Sequence, residues 1–404
     1  MQKVLRCCFL FLCLEMASCD ESGGKKKTDI NNENNINNVN NINNINNSNN
    51  NNNTNCDEQQ DVKTLHWLSQ QKIYHGTTTG PALCMTPSQQ LAIGALLQYD
   101  GAWVNVCTGT LVTDRLVLTA AHCVTDYRAR PLDPSKLRFA FGTDAAFPLR
   151  IFGVRAVYVN PRYTNYSKTG YDHAVIELDG TPAADLGISP LPISRTSPAN
   201  LIGHYVQQAG FGITERDYNN TQLWWTPERV WGVSDADGEM IVNGQGYSSV
   251  CNGDSGGPSL YLLGGNVLTV LGTVSWGDPS CVDFDHYART DWDRDFLDTV
   301  LPTDFDYCGG LTFEGECEGN VARWCEGGLL HTQCCDARTG PCIVSGGRAR
   351  CEQPRIACDN LDFAGVCNGD VAQWCWGGLA FSRHCAACNQ QCTTVGSILG
   401  NYCQ

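Results

Sequence analysis

Cysteine placement constrains this chain more than any other feature: 24 cysteines in 404 residues, fourteen of them in the last 97. Such density belongs to an oxidising compartment and excludes a reducing cytosol. The same stretch is a tandem repeat. Cys308-x2-Leu311-x-Phe313-x-Gly315-x-Cys317-x-Gly319-x-Val321-Ala322-x-Trp324-Cys325 recurs with a period of 50 as Cys358-x2-Leu361-x-Phe363-x-Gly365-x-Cys367-x-Gly369-x-Val371-Ala372-x-Trp374-Cys375. Six cysteines correspond in each copy, and each copy adds one more, Cys334 or Cys388. A unit of this size cannot bury enough apolar surface to hold itself folded, so cross-links must staple it. The alternation through Val321/Trp324 and Val371/Trp374 predicts short strands, giving two small disulfide-rich modules at 308–353 and 358–403. Cys385-x2-Cys388-x3-Cys392 has the spacing of a zinc site, but an exported chain favours disulfides. Trp324, Trp374 and Trp376 can be core residues or line a carbohydrate or peptide site; the first two read as core. Nothing in the repeats identifies their ligand.

The N-terminus agrees with export. Lys3 and Arg6 precede an apolar stretch, Cys7–Leu14, followed by Ala17, Ser18 and Cys19. Met16-Ala17-Ser18-Cys19 resembles a bacterial lipobox, which implies lipidation of Cys19 and a membrane anchor; an ordinary signal peptide with an incidental cysteine is the alternative. Residues 31–55 contain 18 Asn in 25 positions, a composition that cannot offset its ordering entropy. We therefore expect a signal with lipobox at 1–19, a tether at 20–55 and a propeptide at 56–72. No run of 18 apolar residues exists, the length a spanning helix needs. The net charge of −15 argues against nucleic acid as a partner.

Three short segments carry the chemistry: Leu118-Thr119-Ala120-Ala121-His122-Cys123, Tyr171-Asp172-His173-Ala174-Val175-Ile176, and Cys251-Asn252-Gly253-Asp254-Ser255-Gly256-Gly257-Pro258. A serine hydroxyl is a weak nucleophile and needs an adjacent base, which in turn needs a carboxylate to hold its tautomer. The order His…Asp…Ser and the sequences themselves resemble the trypsin/chymotrypsin family of serine endopeptidases across roughly residues 73–302. The resemblance implies an all-β fold of two six-stranded antiparallel β-barrels ahead of the two repeats. It implies a triad of His122, Asp172 and Ser255, with the oxyanion held by N–H groups of Gly253 and Ser255. Neither cofactor nor metal is implied, and the partners are protein or peptide substrates. It further implies Cys107–Cys123 and Cys251–Cys281 bridges. Ser275-Trp276-Gly277 matches the strand that pairs with extended substrate, and Ala209-Gly210-Phe211-Gly212 stands where the family has Gly-Trp-Gly. Asp295-Phe296-Leu297 and Val300-Leu301 suggest a short closing helix.

Activation and specificity are also read through this resemblance. Cleavage after Lys72 would free Ile73, whose amine would pair with Asp254; a constitutive linker over 61–76 is the alternative. Cys56 and Cys84 flank that cut, and a Cys56–Cys84 bridge would keep the cut enzyme on its tether. Ser249 falls at the floor of the primary pocket and is neutral. Asp285 falls on a wall that is normally glycine, and Gly277 leaves the entrance open. A buried Asp285 implies a preference for Arg or Lys before the cut bond, unless it bonds internally and leaves an apolar slot. A slip of the alignment would put Asp283 there instead. The sequence thus reads as an exported, envelope-anchored, trypsin-like serine endopeptidase. The competing readings are an inactive protease-fold binding protein that uses its repeats, an esterase on the same fold, and a protease of apolar specificity.

Overall fold

The computed structural model describes residues 76–403 apart from short breaks at 79, 82, 166–168, 216, 247, 265, 336–339, 353–357, 359–360, 377–378, 386–390 and 395–399. The expected signal, tether and propeptide, with Cys19, Cys56, Lys72 and Ile73, lie outside the described residues, as do Cys388 and the Trp376 side chain.

Residues 93–178 supply six strands, β1 (Ile93–Tyr99), β2 (Trp103–Leu111), β3 (Leu116–Thr119), β4 (Leu137–Phe141), β5 (Arg150–Val159) and β6 (Ala174–Leu178), which close in the order β1-β2-β3-β6-β5-β4. Phe139, Phe141 and Phe152 fill this barrel edge to face, with centroids 4.9 and 5.7 Å apart. A second closed barrel, β10-β11-β12-β9-β8-β7, is built from β7 (Tyr205–Gly210), β8 (Trp224–Ser234), β9 (Glu239–Asn243), β10 (Pro258–Leu263), β11 (Val267–Gly277) and β12 (Phe284–Arg289). Val206, Val230, Met240, Val242, Leu271, Val274 and Tyr287 form its interior. These are the two six-stranded antiparallel barrels the sequence implied.

Short barrels need local kinks to close, and β-bulges supply them. One matters for the site. Val274 pairs with Tyr287 and Trp276 with His286, so Ser275 is the extra residue of a bulge on β11. Among the described residues, three short α-helices punctuate the chain. The first, α1 (Pro87–Gln90), starts on a Thr86 capping box, and α2 (Pro182–Leu186) ends on Gly187. The third, α3 (Arg294–Val300), sits where the closing helix was expected.

Each repeat folds as a three-stranded sheet followed by a hairpin. Repeat 1 has β13 (Glu316–Glu318), β14 (Val321–Glu326) and β15 (Leu329–Cys334), then β16 (Cys342–Ser345) and β17 (Arg348–Cys351). Repeat 2 has β18 (Val366–Asn368), β19 (Val371–Trp376) and β20 (Leu379–His384), then β21 (Cys392–Thr394) and β22 (Asn401–Cys403). The bridges also correspond: Cys308–Cys325, Cys317–Cys342 and Cys335–Cys351 against Cys358–Cys375, Cys367–Cys392 and Cys385–Cys403. Cys385 and Cys392, the outer pair of the zinc-like spacing, belong to separate disulfides. Trp324 and Trp374 are buried, 6% and 1% exposed.

The expected Cys56–Cys84 bridge is overturned: Cys84 is bonded to Cys334, the extra cysteine of repeat 1. Sequence proximity suggested the wrong partner because what packs on Cys84 is β15, 250 positions along the chain. Thr332 Oγ1 lies 3.4 Å from the Cys84 carbonyl, and Thr332 N–H donates to Asn266 O at 2.9 Å. Ser88 N and Oγ both donate to the Glu318 carboxylate at 2.8 Å, and Arg323 pairs with Glu318 at 2.6 Å. Repeat 2 meets the second barrel through Phe363, edge to face with Tyr205 at 5.3 Å. Asn266 lies in the β10–β11 turn, at the opposite end of β10 from Ser255, so repeat 1 docks behind the second barrel.

Candidate active site

The three motif residues converge between the barrels. His122 sits on the 3-10 turn Ala121–Val124 that leaves β3, and Asp172 lies just before β6. Ser255 is on the loop entering β10 from the other barrel. Asp172 is 5% exposed, and its oxygens have three donors: His122 N–H at 2.9 Å, His122 Nδ1 at 2.8 Å and Ser275 Oγ at 2.6 Å. The β11 bulge is what turns Ser275 toward Asp172. Burial lowers the pKa of His122, but the hydrogen bond and charge of Asp172 outweigh it, and the net shift is upward. The next residue, His173, is fully buried and bonds through Nδ1 to Asp293 at 2.9 Å, and Asn160 donates to the same carboxylate at 2.8 Å. Asp293 follows the second barrel, so this contact fixes the Asp172 loop against it.

The Ser255 loop is held just as firmly. Thr108 N–H donates to Ser255 O at 2.8 Å, and Thr108 Oγ1 to Gly253 O at 3.0 Å. Cys107 is bonded to Cys123, whose sulfur lies 3.6 Å from the Ser255 carbonyl oxygen. Nucleophile loop and histidine turn are thereby tied to one another. A side chain at Gly256 would meet Thr119 Oγ1 at 2.1 Å and Thr108 O at 2.5 Å, and its φ of +77° already favours glycine. Asp254, Gly256 and Gly257 give their N–H groups to backbone carbonyls. Those of Gly253 and Ser255 have no acceptor among the described residues, which leaves two donors for an incoming oxygen.

Asp254 is fully buried and accepts from Gly212 N–H at 2.7 Å and Cys251 N–H at 2.8 Å. A Cβ at Gly210 or Gly212 would fall within 2.1 or 2.5 Å of this carboxylate, so both ends of the Gly-Phe-Gly turn must be bare. Burial pushes the Asp254 pKa up to about 7 despite the two backbone donors.

On the pocket side, Cys251 is bonded to Cys281. Gly277 pairs with Asp285 across β11 and β12, and Asp283 is exposed. Asp285 has no exposed surface; its Oδ2 accepts from Ser249 Oγ at 2.5 Å and Val250 N–H at 3.2 Å, while Oδ1 has no partner. Trp276 is half exposed, stacks on His286 at 3.5 Å and donates to Thr169 Oγ1 at 2.8 Å. The paired register of β10 stops at Thr273, so Ser275–Gly277 extend beyond it with one edge open to an incoming strand.

Two buried acids escaped the sequence reading, Asp293 above and Glu228. Glu228 on β8 is fully buried near Asp285. Its only signal was a lone carboxylate at an inward position of the run Trp224-Trp225-Thr226-Pro227-Glu228-Arg229-Val230.

Comparison with known proteins matches this architecture. The trypsin family's sequence profile covers residues 84–292. Chymotrypsin-like elastase family member 1 of Bos taurus is 30% identical over 202 residues, 45% of this chain and 72% of that protein. Transmembrane protease serine 11A of Homo sapiens is 26% identical over 197 residues, 46% of each chain. Clotting factor C of Tachypleus tridentatus is 27% identical over 223 residues, 47% of this chain and 21% of that protein. The chain thus spans less than half the length of the latter two relatives. With the profile spanning both barrels and the site between them, the chain belongs to the trypsin family of serine proteases.

Proposed function

We propose that this chain is an exported, envelope-anchored serine endopeptidase, activated by cleavage after Lys72 and preferring Arg or Lys before the cut bond. The carrying observation is the Asp172 cradle, which holds His122 by both its backbone N–H and Nδ1 beside a loop with two unused N–H donors. Ser255 Oγ attacks the scissile carbonyl and passes its proton to His122 Nε2. The carbonyl electron pair moves to oxygen, which accepts from Gly253 and Ser255 N–H. Asp172 keeps the other imidazole nitrogen protonated and stabilises the imidazolium. Collapse of the adduct expels the amine, which takes the proton from His122. Water then repeats the sequence on the acyl-enzyme and frees Ser255.

Substrate backbone pairs with the open edge at Ser275–Gly277. The unpartnered Asp285 Oδ1 supports a cationic side chain in the pocket, as does Lys72 at the activation cut. A second reading is favoured by one observation: Asp285 Oδ2 already has two donors, which fits a floor closed for small apolar side chains. Activation is supported by Thr77, which bridges to Trp225 with N–O distances of 2.8 and 2.9 Å. Trp225 adjoins the strand ending at Gly210, against Asp254, and Ile73 is four residues upstream, a reach of about 13 Å. The anchor at Cys19 rests on the lipobox, and relatives named as transmembrane proteases accord with a surface-held enzyme.

The test is a panel of Arg, Lys, Phe and Leu substrates on soluble protein lacking residues 1–55, before and after cutting at Lys72. Ser255→Ala should remove nearly all turnover, leaving about 10³–10⁴-fold over water. Wild-type turnover in that variant would refute the triad, and full activity in uncut Lys72→Gln would refute activation.

A further inference from the structure

Glu228, Asp285 and Tyr287 are all fully buried in the second barrel. Strand β9 lies between their strands: Asp285 pairs with Val242, and Val242 with Val230, so Glu228 and Asp285 both enter the barrel interior. Neither oxygen of Glu228 has a hydrogen-bond partner of ordinary geometry, nor do Asp285 Oδ1 and Tyr287 Oη. A bare Glu228 carboxylate beside an Asp285 satisfied on one oxygen only would cost several kcal/mol in such a place, and holding a proton is the alternative. Burial, then the adjacent Asp285, raises Glu228 well above the carboxylate range. Burial pushes Asp285 up to about 7, opposed by donors from Ser249, Glu228 and Val250. The other groups facing the pair are Tyr287, Asp254 on the nucleophile loop, and His286, whose charge favours ionised Asp285.

We infer that Glu228 is a specificity-determining positioning residue, which shares protons with Asp285 so that the pocket floor is neutral with both acids protonated and singly negative once one proton has left. The proposal rests on Asp285 lining the primary pocket. Asp285 ionises first, because Ser249 Oγ and Val250 N–H already point at its Oδ2, and its proton goes to solvent. Glu228 keeps its own proton, and that hydroxyl faces the new anion. In the neutral state the pocket accepts apolar side chains. In the anionic state a substrate Arg or Lys supplies the missing countercharge.

The experiment follows the ratio of kcat/KM for Arg over Leu substrates against pH, a ratio in which the His122 titration cancels. In the wild type it should rise with pH, by up to about tenfold per unit, around a midpoint set by the pair. Glu228→Gln keeps a donor and should leave that midpoint in place. Glu228→Leu removes the donor and should raise it by about one unit or more, lowering Arg selectivity about tenfold at neutral pH. A Leu variant with the wild-type profile overturns the proposal. The infrared carbonyl band of a protonated buried carboxyl gives a separate readout: above the midpoint, where Asp285 is ionised, it should persist in the wild type and be lost in Glu228→Gln. An absent band in the wild type also overturns proton sharing. If the band behaves as expected but no Arg preference emerges at any pH, the assignment of Asp285 to substrate fails while the acid pair stands. Fluorophosphonate labelling of Ser255 verifies folding, and if the Leu variant does not label, the Gln variant and the band decide.

Discussion

His122 is held between two opposing influences: burial disfavours its cation, and Asp172, 2.8 Å from Nδ1, favours it more strongly. The base must be neutral to accept a proton, so kcat/KM on a neutral substrate should fall as pH drops through a midpoint above 6.5, the ordinary value. Asp172→Asn should cut kcat by about 10⁴-fold, since the amide favours the wrong tautomer. A pH–rate profile of both proteins checks this; a wild-type midpoint below the ordinary value would contradict the Asp172 contact. The meeting of His122, Asp172 and the Ser255 loop was legible because each sits in a contiguous run of characteristic residues. The acid in the second barrel was not. Glu228 meets Asp285 only through the register of three strands, 57 positions apart in the chain, and no local pattern encodes that register.

Between single residues and whole barrels, the segment at Thr77 is the element most tied to control. It lies on the second barrel beside the turn that packs on Asp254. In the uncut chain Asp254 has no cation from Ile73, and its pKa of about 7 lies above the unfolded value near 3.8. The folded state therefore holds a proton that the unfolded state releases. The contribution of this group to stability is full below about pH 4 and declines as pH rises through about 7, by up to about 4 kcal/mol. Glu228 and Asp285 add to the same slope. On the proposed activation, the Ile73 ammonium would favour the carboxylate and remove the Asp254 share. Urea midpoints at pH 5 and 7.5 should therefore diverge more in Lys72→Gln than in cut enzyme; equal slopes would argue against insertion of Ile73. The repeat strands were legible from alternation, and the closing helix through the family resemblance. The bulge at Ser275 was not, because it exists only in the mismatch between β11 and β12.

For the molecule as a whole, Cys84–Cys334 joins positions 250 apart. A loop of that length restricts the unfolded chain by about 5 kcal/mol in the chain-entropy account. Cys84→Ala with Cys334→Ala should lower Tm and loosen repeat 1, leaving Ser255 labelling intact; an unchanged Tm would show that the polar contacts at Ser88 and Glu318 suffice. The sequence suggested a local partner for Cys84 because parity and proximity say nothing about which surfaces dock. The bridge also changes what a cut can accomplish. Severing the connection at 302–307 opens a ring and releases nothing, since repeat 1 remains bonded to the segment ahead of β1. Shedding of repeat 1 by a cut there is then a coincidence event, requiring a protease and a reductant together. Without the reductant, a molecule nicked at 302–307 keeps repeat 1 on its barrels.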